Sequence, residues 1–259
     1  MFATLIAISS LSITFEDSFA QTITIDSVSQ ITDGGTLELA GAYGITSFKI
    51  GTSTYVAVAS FTDNGVQILS VDSAGAVSAV SQIDNDSTVA LNIPNAITSF
   101  KIGTSTYLAV ASLGDDGVQI LSVDSAGAVS AVSQITDGGS RELAGAYGIT
   151  SFKIGTSTYL AVASSSDNGV QILSVDSAGA VSAVSQITDG GSRVLAGARH
   201  VTSFQVDSST YLAVASYGDN GVQILSVDSA GAVSTVSQIT DGGSRELAGA
   251  NRITSFKIG

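Results

Sequence analysis

Hydrophobic and polar positions along this chain follow one pattern that returns after a fixed number of residues. The tripeptide Thr-Ser-Phe begins at positions 46, 98, 150, 202 and 254, a step of 52 residues each time, without insertion or deletion. A fixed period of this length is typical of an array of identical supersecondary units. The pattern therefore predicts a repeat protein from about residue 21 onward.

Each repeat contains four β-strand signals. In the third copy they cover residues 149–154, 159–164, 170–175 and 181–187. Short turn sequences, Gly-Thr-Ser, Asp-Asn-Gly and Asp-Ser-Ala-Gly, separate them, and Asn and Gly tolerate the positive φ that tight turns need. Because these connections are short, the unit is predicted to be a four-stranded antiparallel meander, joined to the next unit by a longer link.

The predicted fold class is all-β, a β-propeller of near-identical four-stranded blades. A small sheet with apolar residues on both faces is unstable alone, whereas stacked sheets bury those faces against each other. A β-solenoid is the alternative, but its parallel pairing does not use Asp-Asn-Gly hairpins. The predicted divisions, each with its link, are residues 21–44 (an outer strand at 23–31 and a link), complete blades at 45–96, 97–148, 149–200 and 201–252, and the start of a fifth blade at 253–259.

The partial fifth blade leads us to expect a fragment of a longer ring with at least five blades. Strands two and three of that blade would need about 20 further residues before the N-terminal strand could complete it. An open ring leaves apolar surface uncovered, so self-association of the open ring is also expected.

The repeat resembles known propeller blades. The segments VTSFQV, TYLAVAS and DNGVQILSVD resemble a WD-repeat-type blade without its Trp-Asp, and residues 222–239, VQILSVDSAGAVSTVSQI, are similar to blades of LVIVD-repeat proteins and lactonase-like propellers. The resemblance covers residues 21–259 and implies the propeller fold. It implies little about activity, because propellers support unrelated functions. The catalytic His, Arg and Glu expected of a lactonase-like propeller have no matching motif here.

Composition and charge narrow the function further. The chain is 44% hydrophobic and 12% charged, as expected of a folded protein, and its net charge of −13 argues against nucleic acid as a partner. It has no Cys, and its one His is His200, so thiol chemistry is excluded and a Ser-His pair has a single candidate base. No cofactor or metal is predicted, and the acidic segment 84–87 and the repeated Asp167-type residues are interpreted as turn formers.

Residues 1–20 lie outside the repeat and are predicted to be a secretory signal peptide. Their apolar run is too short to span a bilayer, and Ser18-Phe19-Ala20 before Gln21 fits a cleavage site. However, no Lys or Arg precedes the run, and the alternative is an extra buried strand. A signal peptide places the protein outside the cell or at the cell surface, with no membrane span.

The copies differ mainly in two places, the turn between strands two and three and the end of each link. In an up-and-down meander both places lie on one face, and the link ends lie at the mouth of the central channel. Exposed aromatic residues and Arg are common anchors of binding surfaces, although drift in unrestrained loops is the alternative explanation. The candidate binding residues are Tyr43, Phe61, Asn95, Leu113, Tyr147, Arg199, His200, Tyr217, Asn251 and Arg252.

These observations favour a recognition and scaffold propeller that binds a protein or glycan through its variable face. The dipeptides Arg199-His200 and Asn251-Arg252 would make the channel mouth basic on an acidic protein, so an anionic group is the ligand class expected first. The alternative is a lactonase-like or other hydrolytic propeller enzyme.

Overall fold

The computed structural model describes residues 12–13, 23–24 and 27–256, and the chain is all-β within these residues. Two short strands, β1 (Ser12–Ile13) and β2 (Ile23–Thr24), pair with each other. The other sixteen strands form four antiparallel sheets of four strands each. Apart from β1, the segment predicted to be a signal peptide lies outside the described residues.

Within each sheet the strands pair in chain order, from the first strand at one edge to the fourth at the other. The first sheet contains β3 (Ala42–Ile50), β4 (Ser53–Ser60), β5 (Gly65–Val71) and β6 (Val77–Asp84). The second contains β7 (Pro94–Ile102), β8 (Ser105–Ser112), β9 (Gly117–Val123) and β10 (Val129–Thr136). The third contains β11 (Ala146–Ile154), β12 (Ser157–Ser164), β13 (Gly169–Val175) and β14 (Val181–Thr188). The fourth contains β15 (Ala198–Val206), β16 (Ser209–Ser216), β17 (Gly221–Val227) and β18 (Val233–Thr240).

The four-stranded meander predicted from the repeat is confirmed. The largest difference is at the start of the first strand, where β11 begins at Ala146 instead of 149. The register shifts between Ala146 and Gly148, so the ladder to β12 continues past an irregularity that the sequence pattern does not reveal.

The first strands of successive sheets lie side by side, and the fourth strands are at the far edges. The Thr46 and Ser99 hydroxyls, on β3 and β7, are 3.2 Å apart, and those of Thr98 and Ser151, on β7 and β11, are also 3.2 Å apart. Sheets that meet along their first strands surround a common axis. The molecule is therefore a β-propeller whose blades are these sheets, with the first strand innermost, as predicted.

The hydrophobic core lies between the blades. On β12, Leu160 and Val162 pack against the preceding blade, whereas Tyr159 and Ala161 pack against the following one. Successive side chains of a strand point to opposite faces, so a nearly continuous apolar strand supplies both interfaces. Fully burying one such large apolar side chain contributes about 1.5–3 kcal/mol, and therefore each blade depends on its neighbours for stability.

A second contact between blades lies near their outer edges. Gly179, in the turn after β13, has φ +85°, and its backbone oxygen accepts a 2.7 Å hydrogen bond from the Ser133 hydroxyl of the preceding blade. A β-carbon at Gly179 would lie 2.7 Å from Tyr107 Cε1 and 2.9 Å from Val132 Cγ1. Glycine is required here by both the conformation and the close approach.

Two segments keep contacts between blades without forming strands. In residues 27–34, the Ser29 hydroxyl accepts a 3.2 Å hydrogen bond from the Val77 amide, as Ser81 does from Val129 in the next blade. In residues 251–256, the Ser255 hydroxyl donates to the Ser203 carbonyl at 3.2 Å. Strands were expected over 23–31 and from 253. Of these residues, Ile23–Thr24 pairs with β1, and the described remainder lacks a hydrogen-bonded strand partner.

Candidate binding face at the channel mouth

Each link is held against its blade by three polar side chains. In the third blade, Asp167 Oδ2 accepts a 2.7 Å hydrogen bond from the Ala144 amide. Gln171 Oε1 accepts one of 3.0 Å from the Glu142 amide, and the Ser164 hydroxyl donates one of 2.7 Å to the Glu142 carbonyl. These bonds fix the path of the link and the position of the variable residues at its end.

The neighbouring Asn168 fixes the following link. It adopts φ +57°, and its Oδ1 accepts a 2.7 Å hydrogen bond from the Gly197 amide. The Asp-Asn pair is therefore a turn former that also connects the incoming and outgoing links of its blade. The sequence pattern predicts only the turn, although the recurrence of Asp-Asn or Asp-Asp at this position in every repeat is a signal for the second role.

Five of the variable side chains meet at the channel mouth. The hydroxyls of Tyr43 and Tyr147 share a 3.0 Å hydrogen bond. The Arg199 guanidinium carbon lies 5.3 Å from the ring centre of Tyr147 and 3.9 Å from that of Tyr217. The Arg252 guanidinium carbon lies 5.4 Å from the ring centre of Tyr43. Both guanidinium groups are thus within the range of cation–π attraction. The two arginines and the three tyrosines form one cluster.

The remaining candidates contribute unequally to this face. The Phe61 ring is exposed, 6.3 Å from the Tyr43 ring, and Asn251 is exposed beside Arg252. Leu113 is half-buried in its turn. Asn95 is buried, and its Nδ2 donates a 2.7 Å hydrogen bond to the Tyr147 carbonyl, so it positions Tyr147 and offers little surface of its own.

His200 lies beside an open groove of about 410 Å³ at the inner ends of the blades. Its Nδ1 is buried without a hydrogen-bond partner. Burial lowers the pKa of His200 below its ordinary value of 6.5, and the positive charge of Arg252 lowers it further, so the imidazole is neutral at pH 7. The groove is lined by Ile149, Thr150, His200, Val201, Thr202, Arg252, Ile253 and Thr254.

The links around this basic centre carry acidic groups. Partial burial, together with the nearby Asp84 and Asp63 carboxylates, raises the pKa of Glu38 to about 7. Burial also raises the pKa of Glu142, although the Thr188 hydroxyl, which donates a 2.8 Å hydrogen bond to it, works in the opposite direction. The face therefore has cations at the mouth and carboxylates on the links.

Neither a metal-binding cluster nor a membrane-spanning helix is present within the described residues. No group of three or more His, Cys, Asp or Glu side chains there is arranged to hold a metal ion. That part of the chain also has no helix with the length and apolar character to cross a bilayer.

Comparisons with known proteins identify the fold only. No family model and no curated protein matches the chain. Among solved structures, a protein from Lactobacillus plantarum matches with TM-score 0.58 and 15% identity, over 85% of this chain and 60% of that one. Hydrazine synthase from Kuenenia stuttgartiensis matches with TM-score 0.53 and 16% identity, over 81% and 52%. An exo-β-1,3-galactanase from Phanerochaete chrysosporium, determined with β-1,3-galactotriose, matches with TM-score 0.51 and 14% identity, over 83% and 52%.

These structures support the propeller architecture. The chain spans little more than half of the length of the structures it matches. No family model assigns its repeats to the LVIVD-repeat or lactonase-like families, so that closer resemblance stays a prediction.

Proposed function

We propose that this chain is part of a secreted or cell-surface recognition propeller that binds a protein or glycan at its channel mouth. The observation that carries the proposal is the position of the Arg199 guanidinium carbon, 5.3 Å from the ring centre of Tyr147 and 3.9 Å from that of Tyr217. An arginine held against two rings loses little freedom on binding and keeps guanidinium N–H groups available for a carboxylate.

The expected ligand group is a single carboxylate of a glycan or an acidic peptide. Arg252 supplies a second cation beside the groove, and the neutral imidazole of His200 supplies hydrogen-bonding capacity. The net charge of −13 repels large polyanions at a distance, whereas a small anionic group that reaches the mouth meets the two arginines directly.

The proposal is tested with an array of matched oligosaccharides, with and without a uronic acid, and of acidic and neutral peptides. Binding restricted to the carboxylate-bearing members is expected. The variant Arg199→Gln with Tyr217→Ala should then lose about tenfold or more in affinity for the best array member, measured by calorimetry.

A control variant carries Arg245→Gln with Ser73→Ala, which removes one cation and one hydroxyl away from the mouth. We expect its affinity to stay within about twofold of the parent, because peripheral contacts carry little binding energy. Equal losses of affinity in the two variants would contradict recognition at the mouth and favour drift as the origin of the variable residues. Hydrolysis of the bound oligosaccharide would favour the enzymatic alternative.

Secretion is a separate part of the proposal. In a host that exports the protein, the mature chain should begin at Gln21, which mass spectrometry of its N-terminal peptide can establish. An intact N-terminus would contradict the cleavage.

A further inference from the structure

A second charged feature lies at the opposite end of the first strands. All four lysines of the chain occupy the same repeat position, at residues 49, 101, 153 and 257, near the end of the first strand. Three of them, Lys49, Lys101 and Lys153, are described, and all three are exposed. Lysine is thus confined to one position in a protein with 22 acidic residues, and the repeat places it in consecutive blades.

The first strands bring these lysines close to the axis. Each follows by two residues a serine that lies at the contact between first strands, and the Ser99 and Ser151 hydroxyls are both 3.2 Å from a threonine hydroxyl of the preceding blade. Residues two apart share a face and are separated by about 7 Å along a strand. The lysines therefore surround the channel beyond the last serine, at the mouth opposite Arg199.

Within residues 27–256, none of the three ammonium groups forms an ion pair with a carboxylate. The aspartates on this side are used in their own turns, as Asp72 shows, whose Oδ1 accepts hydrogen bonds of 2.8 Å from the amides of both Ala74 and Ala76. Exposed like charges at the same end of the first strands, with no paired carboxylate, favour a bound anion.

A groove between the inner strands of the third and fourth blades gives the Lys153 ammonium group a place to meet a ligand. Lys153 lines a groove of about 240 Å³ with Phe152, Ser203 and Gln205. The fourth blade differs at this position, since Gln205 replaces lysine and Asp207 follows it. The concentration of positive charge is therefore on the first three blades.

We infer that this lysine mouth, formed by Lys49, Lys101 and Lys153, binds a compact oxyanion with two or three phosphate or carboxylate groups. Flexible four-carbon stems allow the ammonium groups to converge on one ligand from separate blades, which suits a compact multivalent anion better than a flat bidentate one. This site is distinct from the variable face and does not depend on the function proposed for it.

The test uses inorganic tripolyphosphate and citrate as probes, in calorimetry on the full chain at low salt. We expect one molecule to bind per chain, with affinity falling as salt rises. The two probes distinguish a phosphate ligand from a carboxylate ligand. Absence of binding by both would overturn the inference.

The variant Lys49→Gln, Lys101→Gln, Lys153→Gln introduces the residue that the fourth blade already carries, so the strands should be preserved. It should lose about tenfold or more in affinity for the probe that binds. A control with the same change in charge, Arg141→Gln, Arg193→Gln, Arg245→Gln, should stay within about twofold. Equal losses of affinity in the two variants would show that binding is nonspecific charge attraction and would overturn the inference.

Two further variants make the result independent of folding and of the other face. If circular dichroism shows that the triple lysine variant is unfolded, the single Lys101→Gln variant replaces it and should still lose about twofold to threefold, since the charges share the ligand. Arg199→Gln should leave the binding of tripolyphosphate unchanged, because the variable face is proposed to bind a single carboxylate. If Arg199→Gln lowers the affinity for the probe and Lys101→Gln does not, the probe binds at the variable face and the inference is overturned.

Discussion

At Gly179, one hydrogen atom in place of a side chain lets two blades approach each other. The turn of the third blade lies on Tyr107 and Val132 of the second, with the β-carbon position only 2.7 Å from the tyrosine ring. Gly155, in the turn after β11, has a similar φ of +61° but no atom within 4 Å of its β-carbon position. The two glycines have the same backbone requirement and differ in packing.

This pair gives a prediction for packing between blades. Gly155→Ala should cost about 1 kcal/mol, because alanine is strained at positive φ. Gly179→Ala should cost about 1–3 kcal/mol more, because the added methyl displaces the tyrosine and valine of the preceding blade. Urea unfolding of both variants measures the difference. Equal midpoints for the two variants would show that the outer edges of the blades separate without cost.

At the scale of the element, a blade and its link fold as one unit because Gln171 joins them. This side chain is fully buried, accepts a hydrogen bond from the Glu142 amide of the link, and donates to the Ile172 carbonyl at 3.1 Å and the Ser185 carbonyl at 2.8 Å. One amide thus satisfies backbone groups on the link, β13 and β14. Its equivalent recurs at residues 67, 119 and 223.

Removing this side chain should therefore have a large effect. Gln171→Ala leaves one donor and two acceptors of the backbone without this partner, and we expect a cost of about 2–4 kcal/mol in the free energy of unfolding. Gln186→Ala, which removes one exposed hydrogen bond to the Ser140 carbonyl, should cost about 0.5 kcal/mol or less. Chemical denaturation measures both. A small effect of Gln171→Ala would mean that water replaces the amide.

At the scale of the whole molecule, the same repeat position has different exposure in different blades. Ile45 is 70% exposed on β3, whereas its equivalents Ile97 and Ile149 are each 7% exposed because a preceding blade covers them. Val206, on β15, is 53% exposed. Faces that are buried within the array are thus uncovered on the described first and fourth blades.

We therefore expect the 259-residue chain to self-associate through these faces, since exposed apolar surface of this kind favours association. In sedimentation velocity the average coefficient should rise with concentration, and the double variant Ile45→Ser, Val206→Ser should weaken the rise. Phe61→Ser, which removes an exposed apolar ring from the variable face, serves as the control. A coefficient independent of concentration would contradict the expectation.

The fold could be predicted from the sequence because its information is local and repeated. Turn residues such as Asn168 and Gly179 mark the strand ends, and the apolar run of β12 indicates a strand that is buried on both sides. Because nearly the same 52 residues recur, every blade carries the same local signals. Alternation within a strand assigns its side chains to two interfaces.

The candidate site was only partly accessible in this way. Comparison of the copies identifies which residues vary, and the meander assigns them to one face. It does not give the approach of Arg199 to both Tyr147 and Tyr217, the hydrogen bond shared by the Tyr43 and Tyr147 hydroxyls across 104 residues, or the burial of Asn95. These depend on the distances between blades, which no single repeat encodes.

The sequence by itself determined the repeat, the four strands of each blade, the turns and the acidic balance of the chain, because these depend on neighbours within a few residues. The tertiary structure decided which side chains converge at the variable face, where Arg199 and Arg252 lie among tyrosines. The physical reason is that curvature brings together residues 52 or 104 positions apart, and their contacts arise only when the blades pack around an axis.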